Sequence, residues 1–224
     1  MSESRATMLA SIRRSLGVKG DERIRKAMVE DRLERAPKGV IPDRAQLDAA
    51  GKLALMLEKL EAAQASVARL ASYADVPGAI AQYLRDNNLP ASIRRGEDSR
   101  LDGLPWAETA LEVSKGPSAG HDLSAVSHAD LGVAETGTLV LASGADNPTT
   151  LNFLPDYHIV VLSAADVAGD LESLWPKLRR KHGKGAMPRT VNLITGPSRS
   201  GDIEQTILLG AHGPRSLHVL VVEG

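Results

Sequence analysis

The sequence predicts an α/β fold in which helices cover both faces of a mainly parallel sheet. Apolar runs such as YHIVVL at residues 157–162 are uninterrupted, which is typical of strands buried on both faces. Segments with helical spacing of apolar residues separate these runs, and this alternation indicates parallel strands joined by crossovers. The chain has 224 residues, of which 42% are hydrophobic, so it can bury one sizeable core.

The first 39 residues differ from the rest and are predicted to form an N-terminal extension. Met8, Ile12 and Leu16 have helical spacing, and Gly17 follows where a helix C-cap is expected. Residues 1–39 hold ten Lys/Arg and six Asp/Glu, a net charge of +4, and the stretch at 19–38 has little to bury. We therefore expect a helical arm with a charged linker at 1–39 and an α/β domain at 40–224. A solvated extension is the favoured interpretation, and a docking arm for a partner subunit is the alternative.

Within the domain, Asp43 is expected to begin a long helix with Leu53, Leu57 and Leu60 on one face. The next elements are expected in this order: a strand at 65–70, a helix at 77–86, strands at 91–94 and 123–128, a hairpin at 131–142 and a strand at 157–162. The last elements are expected to be a helix at 167–178 that Pro176 can shorten, a strand at 191–195, a helix at 203–209 and a strand at 217–222.

Composition excludes several classes of function. The net charge of −1 and a pI near 6.6 do not suit a dedicated nucleic-acid binder. The chain has no cysteine, so it cannot form disulfides or hold zinc–thiolate sites or cysteine-ligated iron–sulfur clusters by itself. Its histidines lack metal-binding spacing, so no metal is expected. No signal peptide or membrane-length apolar run is evident, which makes the cytoplasm the expected location.

The most promising binding segment is the polar turn that follows the strand at 191–195. It supplies hydroxyls, backbone N–H groups and one guanidinium, from Thr195, Gly196, Ser198, Arg199 and Ser200. Such turns at the carboxyl ends of strands are where open α/β sheets place ligands. A small carboxylate or phosphate is therefore the expected ligand.

Two acids qualify this interpretation of the turn. Asp202 and Glu204 would occupy the first turn of the expected helix, where their charges oppose an anion placed on the helix axis. An anion is then expected to contact Arg199 and the turn amides off the axis. The alternative is that Arg199 pairs with one of these acids and only builds the turn.

A second candidate segment is AETGTLVL at residues 134–141. Gly137 permits a positive φ or a close approach of a ligand, with Glu135, Thr136 and Thr138 beside it. Glu135 is a candidate catalytic carboxylate, and the alternative is a hairpin turn whose carboxylate faces water. The following polar loop contains Asn147 and can wall a ligand site or be a plain surface loop.

His212 is the second candidate catalytic residue. Pro214 biases Gly213 away from helical backbone angles, so the expected last helix ends near His212. A helix C-terminus favours the charged imidazole, which can bind a carboxylate or act as a general acid. A structural histidine that donates to a nearby carbonyl is the alternative.

Taken together, AETGTLVL, LPDYHIVVL, TGPSRSGDIE, LGAHGP and LHVLVVEG resemble the lactate utilization protein C family, the LUD-domain proteins. The resemblance is close over about residues 120–224 and looser from residue 1 through the expected helix at 43–60. Ser200 stands where threonine is often expected, which keeps the hydroxyl. The resemblance implies a three-layer α/β/α fold similar to sugar-phosphate isomerases and CoA-transferases. It also implies oxidation of L-lactate to pyruvate with two partner proteins, at least one of which carries iron–sulfur clusters.

Three functions follow as hypotheses. The first is a substrate-handling or accessory subunit of a lactate-oxidising complex, without a cofactor of its own. The second is a free-standing enzyme that acts on a CoA ester or sugar phosphate with Glu135 as base or nucleophile. The third is a non-catalytic binding module that docks a partner through the helix at residues 8–16.

Overall fold

A computed structural model describes residues 2–203 and 206–224. The chain divides into two compact units, Met1–Val40 and Ile41–Gly224. The first unit contains α1 (Ser2–Ser15) and α2 (Arg23–Arg35). The charged linker expected at residues 19–38 is thus largely helical, because Arg, Lys and Glu are good helix formers even without a core. No residue of α2 is buried, and the apolar Ile24 and Leu33 are exposed.

The second unit alternates helices and strands. Its helices are α3 (Ala49–Ala62), α4 (Val76–Asp86), the short α5 (Ser99–Asp102) and α6 (Leu174–His182). Its strands are β1 (Ser66–Leu70), β2 (Ser92–Arg95), β3 (Glu112–Lys115), β4 (Ser124–His128), β5 (Leu131–Val133), β6 (Thr138–Ala142), β7 (Tyr157–Ser163), β8 (Val167–Ala168), β9 (Val191–Ile194), β10 (Arg199–Ile203), β11 (Thr206–Leu209) and β12 (Ser216–Val222). Among the described helices, none combines the length and hydropathy that a membrane span requires.

Six strands form the central sheet, in the order β1-β12-β7-β4-β2-β3. Every neighbouring pair in it is parallel. The strand β7 is buried on both faces. Ile159 and Val161 pack with α4 on one face. Val160 and Leu162 pack with α3 on the other. The predicted α/β fold, with a parallel sheet buried between flanking elements, is confirmed.

A second sheet of four strands, in the order β8-β5-β6-β9, lies with α3 against one face of the central sheet. The predicted hairpin at 131–142 is its antiparallel β5–β6 pair. Leu139 and Leu141 on β6 belong to the core shared with the central sheet, and Val140 packs toward α6. Successive side chains of β6 thus point to opposite faces of the second sheet. One face packs on the central sheet and the other packs on α6.

Two expected helices are wrong. The helix expected at 167–178 begins only at Leu174, and Pro176 lies in its first turn, where a proline costs no hydrogen bond. The helix expected from Asp202 is instead the antiparallel hairpin β10–β11. Its sequence contains the β-branched residues Ile203 and Thr206, which favour strands once a partner strand is available. Glu204, which was expected in that helix, lies outside the described residues.

The start expected for the long helix at Asp43 is also wrong, because a 3₁₀ turn and a short break precede α3. A single 3₁₀ turn covers Asp43–Ala45, and α3 starts after Asp48. The Asp48 carboxylate accepts a hydrogen bond from the Gly51 amide at 2.7 Å, so Asp48 is the true N-cap.

Three histidines are buried in the second unit, on β4, β7 and β12. His128 bonds the Tyr73 hydroxyl at 2.8 Å, His158 bonds Ser127 Oγ at 3.0 Å, and His218 bonds Ser66 Oγ at 2.8 Å. Loss of solvation by burial lowers the pKa of each of the three to about 4. The native protein therefore holds these imidazoles neutral.

This burial predicts that stability falls as the solution becomes mildly acidic. Each histidine has a pKa near 6.5 when unfolded and about 4 when folded, so the unfolded chain binds protons first as the pH drops. The free energy of unfolding should fall by about 1 kcal/mol per histidine between pH 7 and pH 5.5. Urea unfolding at both pH values measures the change.

His218→Gln should reduce this pH dependence, whatever its effect on stability at pH 7. The matched control is His121→Gln, because His121 is exposed. Equal unfolding free energies of the unmutated protein at pH 7 and pH 5.5 would contradict neutral burial.

Candidate functional site

A pocket of about 290 Å³ opens where the amino ends of β7 and β12 meet the turn after β9. We call it the turn pocket. Residues 195–199 form one wall, residues 212–214 form the other, and Asn152, His158 and Leu217 form the floor. His158 and Leu217 are each the second residue of their strand and are paired across the sheet. The pocket is therefore at the amino edge of the central sheet, not at the carboxyl edge where α/β sheets usually bind ligands.

The first wall packs on the end of α3. Gly196 has φ +81°, and a Cβ built on it would lie 2.4 Å from the Ala63 carbonyl oxygen. Arg199 Nη2 donates a hydrogen bond to the same oxygen at 3.0 Å. The guanidinium thus caps the C-terminus of α3, where its positive charge interacts favourably with the negative end of the helix dipole. Arg199 has a structural contact as well as a place in the pocket wall.

Ser198 joins the two walls. Its amide donates to the Pro214 carbonyl at 2.8 Å, and its own carbonyl accepts from the Gly210 amide at 2.9 Å. Its hydroxyl oxygen accepts from the His212 amide at 3.4 Å. His212 is exposed and lines the pocket from the loop after β11, so its expected position at a helix C-terminus is wrong. The segment before it is a strand.

The floor contains a chain of buried polar groups that the sequence did not predict. His158 Nε2 bonds Ser127 Oγ at 3.0 Å, and the Ser127 hydroxyl donates to Asn152 Oδ1 at 3.4 Å. His158 and Asn152 are each only 1% exposed. Among the described residues, His158 Nδ1 and Asn152 Nδ2 have no hydrogen-bond partner. Five further buried side-chain nitrogen or oxygen atoms in the described part of the chain also lack a partner.

Thr136 and Thr138 reach the turn pocket indirectly. Thr136 Oγ1 lies 2.7 Å from Thr138 Oγ1, which lies 2.6 Å from Thr195 Oγ1 in the pocket wall. Between the first two, Gly137 has φ +66°, and a Cβ there would lie 2.7 Å from Lys59 Cβ. These residues support the wall and pack the hairpin on α3.

The structure does not place Glu135 or Asn147 among the residues that line the turn pocket. Glu135 Oε1 accepts from the Leu171 amide at 2.9 Å, and Oε2 lies 3.7 Å from Arg44 Nη2. Asn147 Nδ2 donates to the Ala142 carbonyl at 3.3 Å. Each side chain therefore has a structural partner, while Asn147 Oδ1 is buried without one among the described residues. A catalytic role for Glu135 stays a prediction.

Ser200 completes the predicted set. It lies on β10 opposite Leu208 of β11 and is not among the residues that line the pocket. The structure thus gathers five of the predicted residues around one pocket: Thr195, Gly196, Ser198, Arg199 and His212.

A second cavity lies at the carboxyl ends of β2 and β4, and its charges are largely paired. Arg100 binds the buried Asp98 at 2.6 Å, and Lys181 binds Asp130 at 2.7 Å. Burial raises the pKa of Asp98, but the hydrogen bonds and charge of Arg100 outweigh this and lower it. Over the described part of the chain, no three His, Asp or Glu side chains group as a metal site.

Residues 123–222 match the family model of the LUD domain. Lactate utilization protein C of Geobacillus thermodenitrificans is 32% identical over 129 residues, which are 54% of this chain and 54% of that protein. The protein of the same name from Halalkalibacterium halodurans is 34% identical over 99 residues, 44% of this chain and 43% of that one. The chain spans about half the length of the curated relatives it matches. The resemblance predicted from the motifs is confirmed.

The fold has a counterpart among solved structures. A crystal structure of a DUF162 family protein from Deinococcus radiodurans superposes with a TM-score of 0.58 at 24% sequence identity. The match covers 79% of this chain and 99% of that one, and it supports the α/β fold.

The packing of the turn on α3 predicts a large effect of one methyl group. Gly196→Ala should lower the free energy of unfolding by about 2 to 4 kcal/mol, because it combines a strained φ with a clash against backbone. Gly185→Ala is the matched control, since Gly185 has φ +77° and open space around its Cβ position. The control should cost only about 1 kcal/mol. Urea unfolding compares the two, and equal losses would contradict the close approach to Ala63.

Proposed function

We propose that this chain is a component of a lactate utilization system and that it binds a small carboxylate in the turn pocket. The relatives that carry the name lactate utilization protein C align with about half of the chain. The family match at 123–222 contains every residue that lines the pocket, including Asn152, His158 and residues 195–199. A volume of about 290 Å³ suits a ligand of a few heavy atoms.

The observation that carries the proposal is the position of Arg199 in the wall of a small pocket whose lining lies within the family match. A guanidinium is planar and can bind a carboxylate through two parallel hydrogen bonds. The bound acid would therefore direct its carboxylate toward Arg199.

The proposal also assigns a division of labour. Oxidation of lactate to pyruvate releases two electrons and two protons, and the electrons need an acceptor. This chain has no thiolate with which to hold an iron–sulfur cluster, so such clusters would belong to partner proteins. The chain would bind the acid and present it to them as a substrate-handling or accessory subunit.

Binding of L-lactate to the purified chain tests the first part of the proposal. Calorimetric titration should show saturable binding, and Arg199→Ala should weaken it about tenfold because a charge-assisted contact is lost. Arg215→Ala is the matched control, since Arg215 is exposed and lies 3.8 Å from Asp156, not in the pocket wall. Absence of saturable binding of both L-lactate and pyruvate would refute the proposal.

The division of labour has its own test. In lactate oxidation reconstituted from the chain and iron–sulfur partner proteins, leaving out the chain should abolish pyruvate formation. Adding Arg199→Ala protein should restore less activity than the unmutated chain at subsaturating lactate. Full activity without the chain would exclude it from the reaction.

A further inference from the structure

We propose that residues 177–189, which we call the basic segment, bind the surface of a membrane rich in anionic lipid headgroups. The segment covers the C-terminal part of α6 and the loop that follows it. None of its residues lines the turn pocket, so this surface is independent of the proposed function. The segment contains no Asp or Glu and six cationic residues: Lys177, Arg179, Arg180, Lys181, Lys184 and Arg189.

The charge of the chain is strongly segregated. The whole chain carries a net charge of −1, residues 1–39 carry +4 and the basic segment carries +6, so the remaining residues carry −11. An anionic surface attracts the basic segment and repels most of the domain around it. This asymmetry favours one orientation of the domain at such a surface.

Two of the six cations are paired with acids of the second cavity. Lys177 binds Asp166, and Lys181 binds Asp130 at 2.7 Å. These two lysines therefore hold α6 against the carboxyl edge of the central sheet and contribute less to an outer surface.

The three arginines of the segment are exposed. Over the part of the chain that the structure describes, none of Arg179, Arg180 and Arg189 has an ion-pair partner. Leu174 and Leu178 of α6 are buried in the core, so the helix is held by its apolar face while its arginines stay in solvent. A guanidinium can bind a phosphate through two parallel hydrogen bonds, and phosphate is the anionic group that phospholipids share.

Stabilisation of the α6 dipole explains only part of this charge. Cations in the last turn of a helix interact favourably with its negative end, and the effect falls off within that turn. Arg189 lies well beyond the end of α6 at His182. Its charge therefore needs another explanation.

The loop at residues 183–189 stands clear of the domain and carries an exposed apolar side chain. Gly183 and Gly185 have φ of +93° and +77°, and nothing lies within 4 Å of a Cβ built on either. The loop is anchored at its end, where the Thr190 amide donates to Ser143 Oγ at 2.9 Å. Met187 is 59% exposed. An apolar side chain among cations can enter the headgroup region while the cations contact phosphates.

A lipid surface fits the basic segment better than an acidic protein does. Protein interfaces are depleted of charged residues at their core, whereas nearly half of this segment is cationic. A cluster of this size on a helix is typical of segments that bind anionic lipids. A bilayer also supplies anionic groups without fixed geometry, which suits long side chains on a protruding loop.

Cosedimentation of the full chain with lipid vesicles tests the proposal. Vesicles of equal parts phosphatidylglycerol and phosphatidylcholine should bind the protein at about 0.05 M salt, and vesicles of phosphatidylcholine alone should not. Raising the salt to about 0.5 M should release the protein, because the Debye length becomes short.

Neutralising the three exposed arginines should weaken vesicle binding about hundredfold. The variant combines Arg179→Gln, Arg180→Gln and Arg189→Gln, and each basic residue near an anionic bilayer contributes about fivefold. Because all three side chains are exposed, the variant should keep the circular dichroism spectrum of the unmutated chain.

The matched control removes the same charge from other exposed positions of the domain. It combines Arg85→Gln, Lys115→Gln and Arg215→Gln, which gives the same net charge as the first variant. Its binding should stay within about threefold of the unmutated chain, because screening weakens charges that lie more than a Debye length from the bilayer.

A fluorescent label reports whether the loop itself meets the bilayer. The chain has no cysteine, so Met187→Cys can carry a single environment-sensitive fluorophore. Its emission should move to shorter wavelength when anionic vesicles are added. The same label on Gln82→Cys, at an exposed position of α4, should not change.

Four outcomes would overturn the proposal. The first is no salt-sensitive binding of the unmutated chain to anionic vesicles, a result that depends on no variant. The second is full binding by the variant without the three arginines, which would assign the contact to the basic arm at 1–39. The third is an unchanged emission of the label at residue 187. The fourth is salt-sensitive binding to soluble polyglutamate without binding to vesicles, which would assign the segment to an acidic protein.

Discussion

The arrangement of the domain depends on the close approach of two glycine turns to the C-terminal end of α3. Gly137 brings the β5–β6 turn against Lys59, and Gly196 brings the turn after β9 against Ala63. At both positions a Cβ would overlap backbone or side-chain atoms of the helix, so no other residue permits the same distance. This contact seats the four-stranded sheet beside the central one. The contact of Gly196 with Ala63 also fixes the position of the first wall of the turn pocket.

The location of the pocket follows from how the two sheets meet. The turn after β9 stands at the carboxyl end of its own strand, but β9 runs in the mixed sheet and not in the central one. Its end therefore faces the first residues of β7 and β12. The turn pocket lies at the edge opposite to the one where open α/β sheets usually bind ligands, because the second sheet brings its own strand ends there. The carboxyl edge holds paired charges instead.

Most elements could be predicted from local patterns because their apolar residues already mark the buried faces. The run YHIVVL is β7 almost to the residue, and the hairpin at 131–142 was evident from its glycine turn. The segment after Asp202 could not be predicted, since its spacing suits a helix as well as a strand and only the pairing with Arg199 and Ser200 decides. The residues of the first wall were predictable because they are adjacent in one motif. The floor was not, because His158, Ser127 and Asn152 come from three elements and meet only through strand pairing.

The backbone bonds of Ser198 have a consequence for how such domains can diverge. They close a bridge from residue 198 to Gly210 and Pro214, so the ends of the hairpin β10–β11 are tied together at its base. Lengthening a segment whose ends are already fixed costs little entropy. A change in the length of this hairpin is therefore expected to leave both pocket walls in place. The surface beside the pocket can change in this way without a change in the pocket itself.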